Sequence, residues 1–116
     1  MSAPQIEDYR FGRIVVDAQV YTRDLIILPN CVVGDWWRQE GHKLLPEDLE
    51  PVLAAHPDLL IVGQGAFGRM RIASETRRAL EEAGIEVTAQ STKQACETYN
   101  QLSPQQRVAA ALHLSC

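Results

Sequence analysis

The second half of the chain alternates strand and helix patterns, and this alternation restricts the fold more than any other feature of the sequence. Residues Leu59 to Val62 form a compact apolar run, Ser74 to Ala83 an amphipathic helix, and Ile85 to Ala89 a second strand. Gly84 stands where the end of a helix favours a left-handed residue. Two strands joined by one helix imply a parallel pair with a right-handed crossover. We therefore predict an α/β fold.

The first third has the period of two that is typical of antiparallel strands. Apolar residues alternate from Ile14 to Thr22, and Asp17-Ala18 is a candidate turn that would fold this stretch into a hairpin. One long strand fits the alternation equally well. Asp24 to Leu28 predicts a buried strand that ends at Pro29-Asn30, and Val32-Val33 predicts a further short extended piece.

Three more helices complete the expected fold. One begins near Pro46, where the fixed φ of proline suits the first helical position. Ser91 resembles a capping residue that opens a helix through Leu102. Ser103-Pro104 predicts the start of a last helix, in which Val108, Ala111 and Leu112 face inward. The expectation is a single α/β domain with a mixed central sheet, an antiparallel N-terminal hairpin region and a C-terminal βαβ unit plus helices.

Composition limits the class of protein. The chain has 116 residues, 46% of them hydrophobic and 22% charged, which is ordinary for one globular domain over residues 1–116. A net charge of −4 argues against nucleic-acid binding. The apolar runs are far shorter than the roughly 20 residues that span a bilayer. The N-terminus has neither a signal-peptide nor a transit-peptide layout, so we predict a cytoplasmic location with no membrane partner.

Cysteine and histidine spacing predicts no metal site. Cys31, Cys96 and Cys116 form no CxxC pair, which favours reduced structural thiols. The three histidines are scattered without metal-binding spacing, and no GxSxG sequence marks a nucleophile. A pair of Cys31 with His42 has no motif to support it. The sequence therefore leaves the catalytic residues unknown, and it favours a protein that is not an enzyme.

One glycine-rich loop could serve chemistry. Residues 63–68 read GQGAFG, a literal GxGxxG directly after a predicted strand. In a dinucleotide-binding unit the helix opens within this motif, whereas here Arg69 to Ala73 precede it. The acidic residue that would hold a ribose is missing near Gln90. We therefore predict no cofactor.

Two interpretations of this loop remain open. The glycines could simply turn the chain at the end of a strand. Alternatively, exposed backbone N–H groups beside two arginines could bind a phosphate or a carboxylate. The candidate ligand-binding residues are then Gly63, Gly65, Gly68, Arg69 and Arg71.

A pair of tryptophans marks a second candidate surface. Trp36 and Trp37 are adjacent, and neighbouring residues of an extended segment point to opposite faces. One ring would fill the core and the other would meet solvent or a partner, unless both pack beneath the loop. An exposed Trp near an Arg is typical of interaction hot spots. The candidate partner-binding residues are Trp36, Trp37, Arg38 and His42.

Several of these residues also carry a family resemblance. The chain resembles the Mth938-domain proteins, formerly a domain of unknown function, over most of its length. The matching stretches are Phe11-Gly12, Tyr21 with Asp24, Trp37 with Gly41-His42, Leu60 to Gly65, Thr98 to Leu102 and Arg107 to Leu112. The resemblance implies a compact α/β fold with a mixed central sheet. Relatives often have Thr where this chain has Gln64.

The resemblance implies an assembly role. One mitochondrial branch resembles an assembly factor for respiratory complex I, a vertebrate branch is linked to adipocyte differentiation, and neither supplies catalytic residues. Our leading hypothesis is a non-enzymatic binding or assembly module with a protein partner. The alternative is a protein or enzyme for a phosphate- or carboxylate-bearing small ligand at loop 63–68. A third hypothesis is a symmetric homodimer through the antiparallel front edge.

Overall fold

Five strands form the central sheet of the computed structural model, which describes residues 3–116. Residues 3–116 contain ten strands, three α-helices and a 3₁₀ turn over Pro46–Leu49. The strands are β1 (Ile6–Arg10), β2 (Arg13–Val16), β3 (Gln19–Tyr21), β4 (Leu25–Leu28), β5 (Cys31–Val33), β6 (Lys43–Leu44), β7 (Leu59–Gly63), β8 (Arg71–Ile72), β9 (Glu86–Gln90) and β10 (Val108–Leu112). The helices are α1 (Glu50–Ala55), α2 (Ser74–Glu82) and α3 (Thr92–Leu102).

The central sheet is mixed, as expected. Its strand order is β5-β4-β10-β7-β9, with β10 antiparallel to β4 and parallel to β7. The predicted βαβ unit is confirmed, because β7 and β9 pair in parallel and α2 lies between them in sequence. Strands β1, β2 and β3 form a separate antiparallel sheet, and β6 pairs with β8 in parallel. No helix within residues 3–116 is long and apolar enough to cross a bilayer.

The expected last helix is wrong. Residues Val108 to Leu112 form β10, the central strand of the sheet, and every residue in it is buried. Three successive alanines favour a helix locally. In the fold, however, β10 makes backbone hydrogen bonds to β4 on one side and to β7 on the other. Long-range pairing therefore overrides the local preference.

The hairpin alternative is the correct one for the first third. Asp17 and Ala18 have φ angles of 48° and 66°, and they join β2 to β3 with Val16 opposite Gln19. Positive φ at both central residues is the geometry of a type I′ turn, whose twist matches that of antiparallel strands. The predicted turn is thus confirmed.

Alternating side chains of the central strands supply two separate core layers. In β4, Leu25 and Ile27 point towards α3 and the β1–β2 strands, while Ile26 and Leu28 point towards the face that holds Leu49 and Leu80. A strand buried on both faces reads as a continuous apolar run, as β4 and β7 do. Both faces of the sheet are therefore covered.

Of the three cysteines, Cys96 fits the expected role of a buried structural thiol. It lies in the first core layer, and burial raises its pKa to about 12. Cys31 is exposed and Cys116 is partly exposed.

Helix α3 holds the N-terminal strand through two polar side chains. The Asn100 side chain accepts a hydrogen bond from Ile6 N at 3.0 Å and donates one to Ile6 O at 2.6 Å. The buried Tyr99 hydroxyl donates to Pro4 O at 2.8 Å, and burial raises the pKa of Tyr99 to about 12. Since β1 pairs with β2 alone, the Asn100 amide acts as a partner on its open edge. Two residues of the Thr98–Leu102 stretch therefore have a structural role.

We expect Asn100→Ala to lower the free energy of unfolding by about 2 kcal/mol, because it removes both hydrogen bonds to Ile6. Urea denaturation followed by circular dichroism measures the loss. Gln101→Ala is the matched control, since Gln101 is exposed in the same helix. Equal losses in the two variants would contradict the role given to Asn100.

Candidate functional site

The two candidate regions from the sequence meet at one end of the central sheet, where β7 and β10 terminate. We call this the loop edge and define it by segments 10–13, 22–24, 34–43, 64–71 and 113–116. Backbone hydrogen bonds tie these segments together: Trp36 N to Asp24 O, Arg71 N to His42 O, Gly12 N to Leu114 O and Ala66 N to Ser115 O, all between 2.7 and 2.9 Å. The carboxyl end of parallel strands is where ligands of open α/β sheets usually bind.

A network of charged side chains lies beneath the loop edge. Asp24 Oδ2 lies 2.8 Å from His113 Nδ1 and 2.8 Å from Arg38 Nη1, the second contact being an ion pair outside hydrogen-bond geometry. Asp24 Oδ1 accepts a hydrogen bond from Leu114 N at 2.8 Å. The Arg38 and His113 side chains are only 5% and 9% exposed. The network therefore joins the start of β4, the segment 34–43 that contains both tryptophans, and the end of β10.

The Asp24 carboxylate fixes the tautomer of His113. An ionised carboxylate only accepts hydrogen bonds, so His113 Nδ1 carries the proton in this contact. Arg38 Nη2 approaches Nδ1 to 3.2 Å but donates to Gly41 O at 2.8 Å. His113 Nε2 is buried and has no hydrogen-bond partner within residues 3–116. The neighbouring ring is His42, 5.7 Å away between centroids in an edge-on arrangement.

Opposing effects act on the pKa of Asp24. Burial alone would raise it, but the hydrogen bonds from His113 and from the Leu114 amide, together with the close Arg38 guanidinium, outweigh burial and hold the pKa below its ordinary value of 3.8. The carboxyl group thus stays ionised in the folded protein at neutral pH.

Acid should therefore destabilise the protein through Asp24. Because the folded pKa lies below the unfolded value, this group contributes its full stability above about pH 4 and loses it as pH falls through the folded pKa. The urea concentration at the unfolding midpoint should decrease as the pH is lowered through the folded pKa of Asp24. Asp24→Asn should make this midpoint less dependent on pH. Asp8→Asn is the control, as Asp8 forms only half-exposed ion pairs. An unchanged slope in Asp24→Asn would refute this assignment.

The two tryptophans divide as one of the sequence interpretations expected. Trp36 is 8% exposed and donates from Nε1 to Asp48 O at 2.8 Å, whereas Trp37 is 76% exposed. Each ring has an arginine over it: Arg38 over Trp36 at 4.8 Å and Arg23 over Trp37 at 6.0 Å. A cleft of about 610 Å³ opens between these two pairs.

Close packing requires glycine at two positions of the loop, Gly63 and Gly65. A Cβ atom at Gly63 would lie 2.9 Å from Leu112 Cδ2 and 3.0 Å from Thr92 Oγ1. At Gly65, where φ is +97°, it would lie 2.8 Å from both Ser115 O and His113 Cδ2. Thr92 Oγ1 also accepts a hydrogen bond from Gly65 N and donates to His113 O. The loop is thereby locked against α3 and the C-terminal tail.

Most backbone N–H groups of the loop already have partners, contrary to the expectation that they are exposed. Gln64 N donates to Gln90 O, Ala66 N to Ser115 O and Met70 N to Gln64 O. Gly65 N donates to Thr92, and Gly68 N donates to Gly65 O at 3.4 Å. Arg69 is exposed and stacks over Phe67 at 5.9 Å, and Arg71 is exposed in β8. Ligand binding by this loop stays a prediction, with the two arginine side chains as its donors.

Sequence reasoning missed the pairing of Asp24 with His113. The two residues are 89 positions apart, and the erroneous last helix placed His113 directly after a helix instead of at the end of a sheet strand. The only available signal was the occurrence of Asp24 among the residues that resemble the Mth938 family.

Sequence comparisons relate the chain to known proteins. Residues 6–113 match the family model described as a protein of unknown function (DUF498/DUF598). Human NADH dehydrogenase [ubiquinone] 1 alpha subcomplex assembly factor 3 is 29% identical over 112 residues, which cover 94% of this chain and 59% of the human protein. The chain thus spans about three fifths of that relative's length.

Solved structures share the fold over nearly the full chain. A conserved hypothetical protein from Pyrococcus horikoshii is 29% identical with a TM-score of 0.83, covering 97% of this chain and 99% of that one. A Bordetella parapertussis protein is 27% identical with a TM-score of 0.84, covering 99% and 98%. A Mth938-like domain from Bordetella pertussis, at 24% identity, 96% and 85% coverage and a TM-score of 0.79, shows the same fold. With its family model spanning residues 6–113, this chain belongs to the DUF498/DUF598 family of Mth938-like proteins.

Proposed function

We propose that this protein is a non-enzymatic binding module of the assembly type, and that it docks a partner protein on the loop edge. The observation that carries the proposal is the exposed ring of Trp37 above the buried Asp24–Arg38–His113 network. The similarity to a human protein named as an assembly factor supports the same class of role.

Exposed aromatic rings are concentrated at this edge. Within residues 3–116 the exposed large hydrophobic side chains are Phe11, Val20, Trp37 and Phe67, and the three aromatic ones all lie on the loop edge. Phe11 and Phe67 are 59% and 70% exposed, and their rings contact each other at 6.4 Å between centroids. Exposed apolar clusters with a polar rim are typical of protein interaction sites.

The loop that presents Trp37 is held in place before any partner arrives. The buried Trp36 ring anchors it through the hydrogen bond to Asp48 O, and Asp48 itself accepts hydrogen bonds from Gln39 N and Leu45 N. Arg38 ties the loop back to Gly41 O through Nε and Nη2. A preorganised loop loses less conformational entropy on binding, which favours affinity.

Position-specific cross-linking tests the proposal. A photo-reactive amino acid at position 37 should capture a discrete protein in the source cells, and the same amino acid at the exposed α2 position 78 should not. The purified partner should then form a complex with the unmodified chain in light scattering, and Trp37→Ala should weaken that complex. A cross-link between two copies of this chain would identify the partner as a homodimer mate.

Two results would contradict the proposal. Position 37 could capture no more than position 78, or the captured protein could bind Trp37→Ala as tightly as the unaltered chain. Either would remove the loop edge as a docking surface.

For the anion hypothesis at loop 63–68, we expect phosphate-bearing metabolites to leave the melting temperature unchanged, because most loop amides already have internal partners and only the exposed Arg69 and Arg71 side chains remain as donors. A thermal-shift screen of nucleotides, dinucleotides, coenzyme A and sugar phosphates measures this, since a ligand that binds the folded state raises Tm. A concentration-dependent rise that disappears in Arg69→Ala would instead support the small-ligand function.

A further inference from the structure

Charge is unevenly distributed between the loop edge and the rest of the protein. The five segments that define the loop edge contain seven of the eleven Lys and Arg residues but only three of the fifteen Asp and Glu residues. Arg38 and Asp24 are mostly buried against each other, which leaves six basic and two acidic residues to form the surface. Asp8, next to the edge, pairs with Arg10 and Arg13 at 3.4 and 3.2 Å. The remaining surface is strongly acidic. An acidic protein with net charge −4 therefore presents one basic face.

The basic groups and the exposed rings of this face occur together. Arg23 lies over Trp37 and is 3.8 Å from Asp35, a long contact between two exposed side chains. Arg69 lies over the ring of Phe67. Each arginine therefore keeps guanidinium N–H groups available to an incoming carboxylate, while the ring beside it offers apolar surface.

Two adjoining clefts are each large enough to hold more than one side chain. The cleft beside Trp37, of about 610 Å³, and a second cleft of about 550 Å³ beside Lys43 and Arg71 share Gly41 as a wall. Apolar side chains of a bound segment could enter the first cleft while its carboxylates meet the basic groups of the second.

We infer that the loop edge recognises an acidic peptide segment in which carboxylates alternate with large apolar side chains. This inference rests on the proposed binding function and specifies the chemistry of the partner. The Arg23–Trp37 and Arg69–Phe67 pairs supply both parts of the recognition, because each combines a guanidinium that donates hydrogen bonds to a carboxylate with an apolar ring.

The same features disfavour a nucleic acid. Asp35 and Glu40 interrupt the basic face and would repel a continuous phosphate backbone, and an arginine already lies over Trp37 and Phe67, where bases would stack.

Fluorescence anisotropy with defined probes tests the inference on the full chain. The probe is a short fluorescein-labelled peptide of alternating Glu and Leu or Phe residues, and the matched probe has Lys in place of every Glu. We expect the acidic peptide to bind, the lysine peptide not to bind, and salt to weaken the binding. Trp37→Ala and Arg23→Ala should each weaken it by about tenfold or more. Arg78→Ala, an exposed arginine on α2, should leave it unchanged.

Several outcomes would overturn the inference. They are equal binding of the lysine peptide, no binding of the acidic peptide, an acidic-peptide affinity unaffected by Trp37→Ala, and tighter binding of poly-uridylate RNA or of phosphatidylserine vesicles. The proposed function is tested separately by cross-linking. If a partner is captured at position 37 but the acidic peptide does not bind, only the inferred chemistry is refuted. If no partner is captured at position 37, the docking function itself is refuted.

Discussion

Asp24→Ala should lower the free energy of unfolding by about 3 kcal/mol, near the lower end of the range for breaking a buried ion pair. The substitution leaves the guanidinium of Arg38 and the ring of His113 buried without their shared carboxylate, and it removes the acceptor of Leu114 N. Asp24 keeps 17% of its side-chain surface exposed, which is why we place the loss at the lower end. Urea denaturation at neutral pH measures it.

Asp35→Ala is the matched control for this loss. Asp35 also pairs with an arginine, but at 3.8 Å between side chains that are both mostly exposed, and such pairs contribute at most about 1 kcal/mol. Similar losses for the two aspartates would mean that the buried network does not hold the loop edge together.

Gly65→Val should be comparably damaging, at about 3 kcal/mol or more. Its backbone φ of +97° is strained for a residue with a side chain, and the added Cβ would lie 2.8 Å from Ser115 O, a backbone atom. Relieving this contact would require residues 113–116 to move away from loop 63–68. That movement would also disturb the contact between His113 and Asp24. Thermal and urea unfolding should both register the loss.

Two other glycines separate the effect of backbone strain from the effect of steric contact. Gly68 has a φ of +67° but open space around its Cβ position, so Gly68→Ala should show only backbone strain of about 1 kcal/mol. Gly41 has open space as well and lies outside the positive-φ glycines, so Gly41→Ala should be nearly neutral. A Gly65→Val protein as stable as Gly68→Ala would show that the tail does not pack against the loop as described.

Local patterns in the sequence predicted the parts of the fold that local forces determine. The βαβ unit of β7, α2 and β9 follows from apolar runs separated by an amphipathic helix, and the turn at Asp17-Ala18 is one of the two alternatives that the alternation allowed. The Ser91 cap of α3 is also confirmed, because its side chain accepts from Gln94 N. Local patterns did not predict strand β10, because its alanines are stabilised by pairing with β4 and β7, which are far away in sequence.

The candidate site was predictable only in part for the same reason. An adjacent Trp pair in an extended loop indicates one buried and one exposed ring, and the structure has this arrangement. The partners that fix the loop come from elsewhere: Asp48 holds Trp36, and Asp24 pairs with Arg38. The charge asymmetry of the loop edge becomes visible only once the fold has gathered segments that are distant along the chain.

The position of β10 has a consequence for how the chain reaches its native state. The last strand in sequence is the middle strand in space, lying between β4 and β7. Until it inserts, both neighbours keep a row of unsatisfied backbone groups, which is an edge that other chains can pair with. The sheet cannot close until β10 has been synthesised, so we expect slow folding, and we expect a premature stop codon ahead of β10 to yield aggregates.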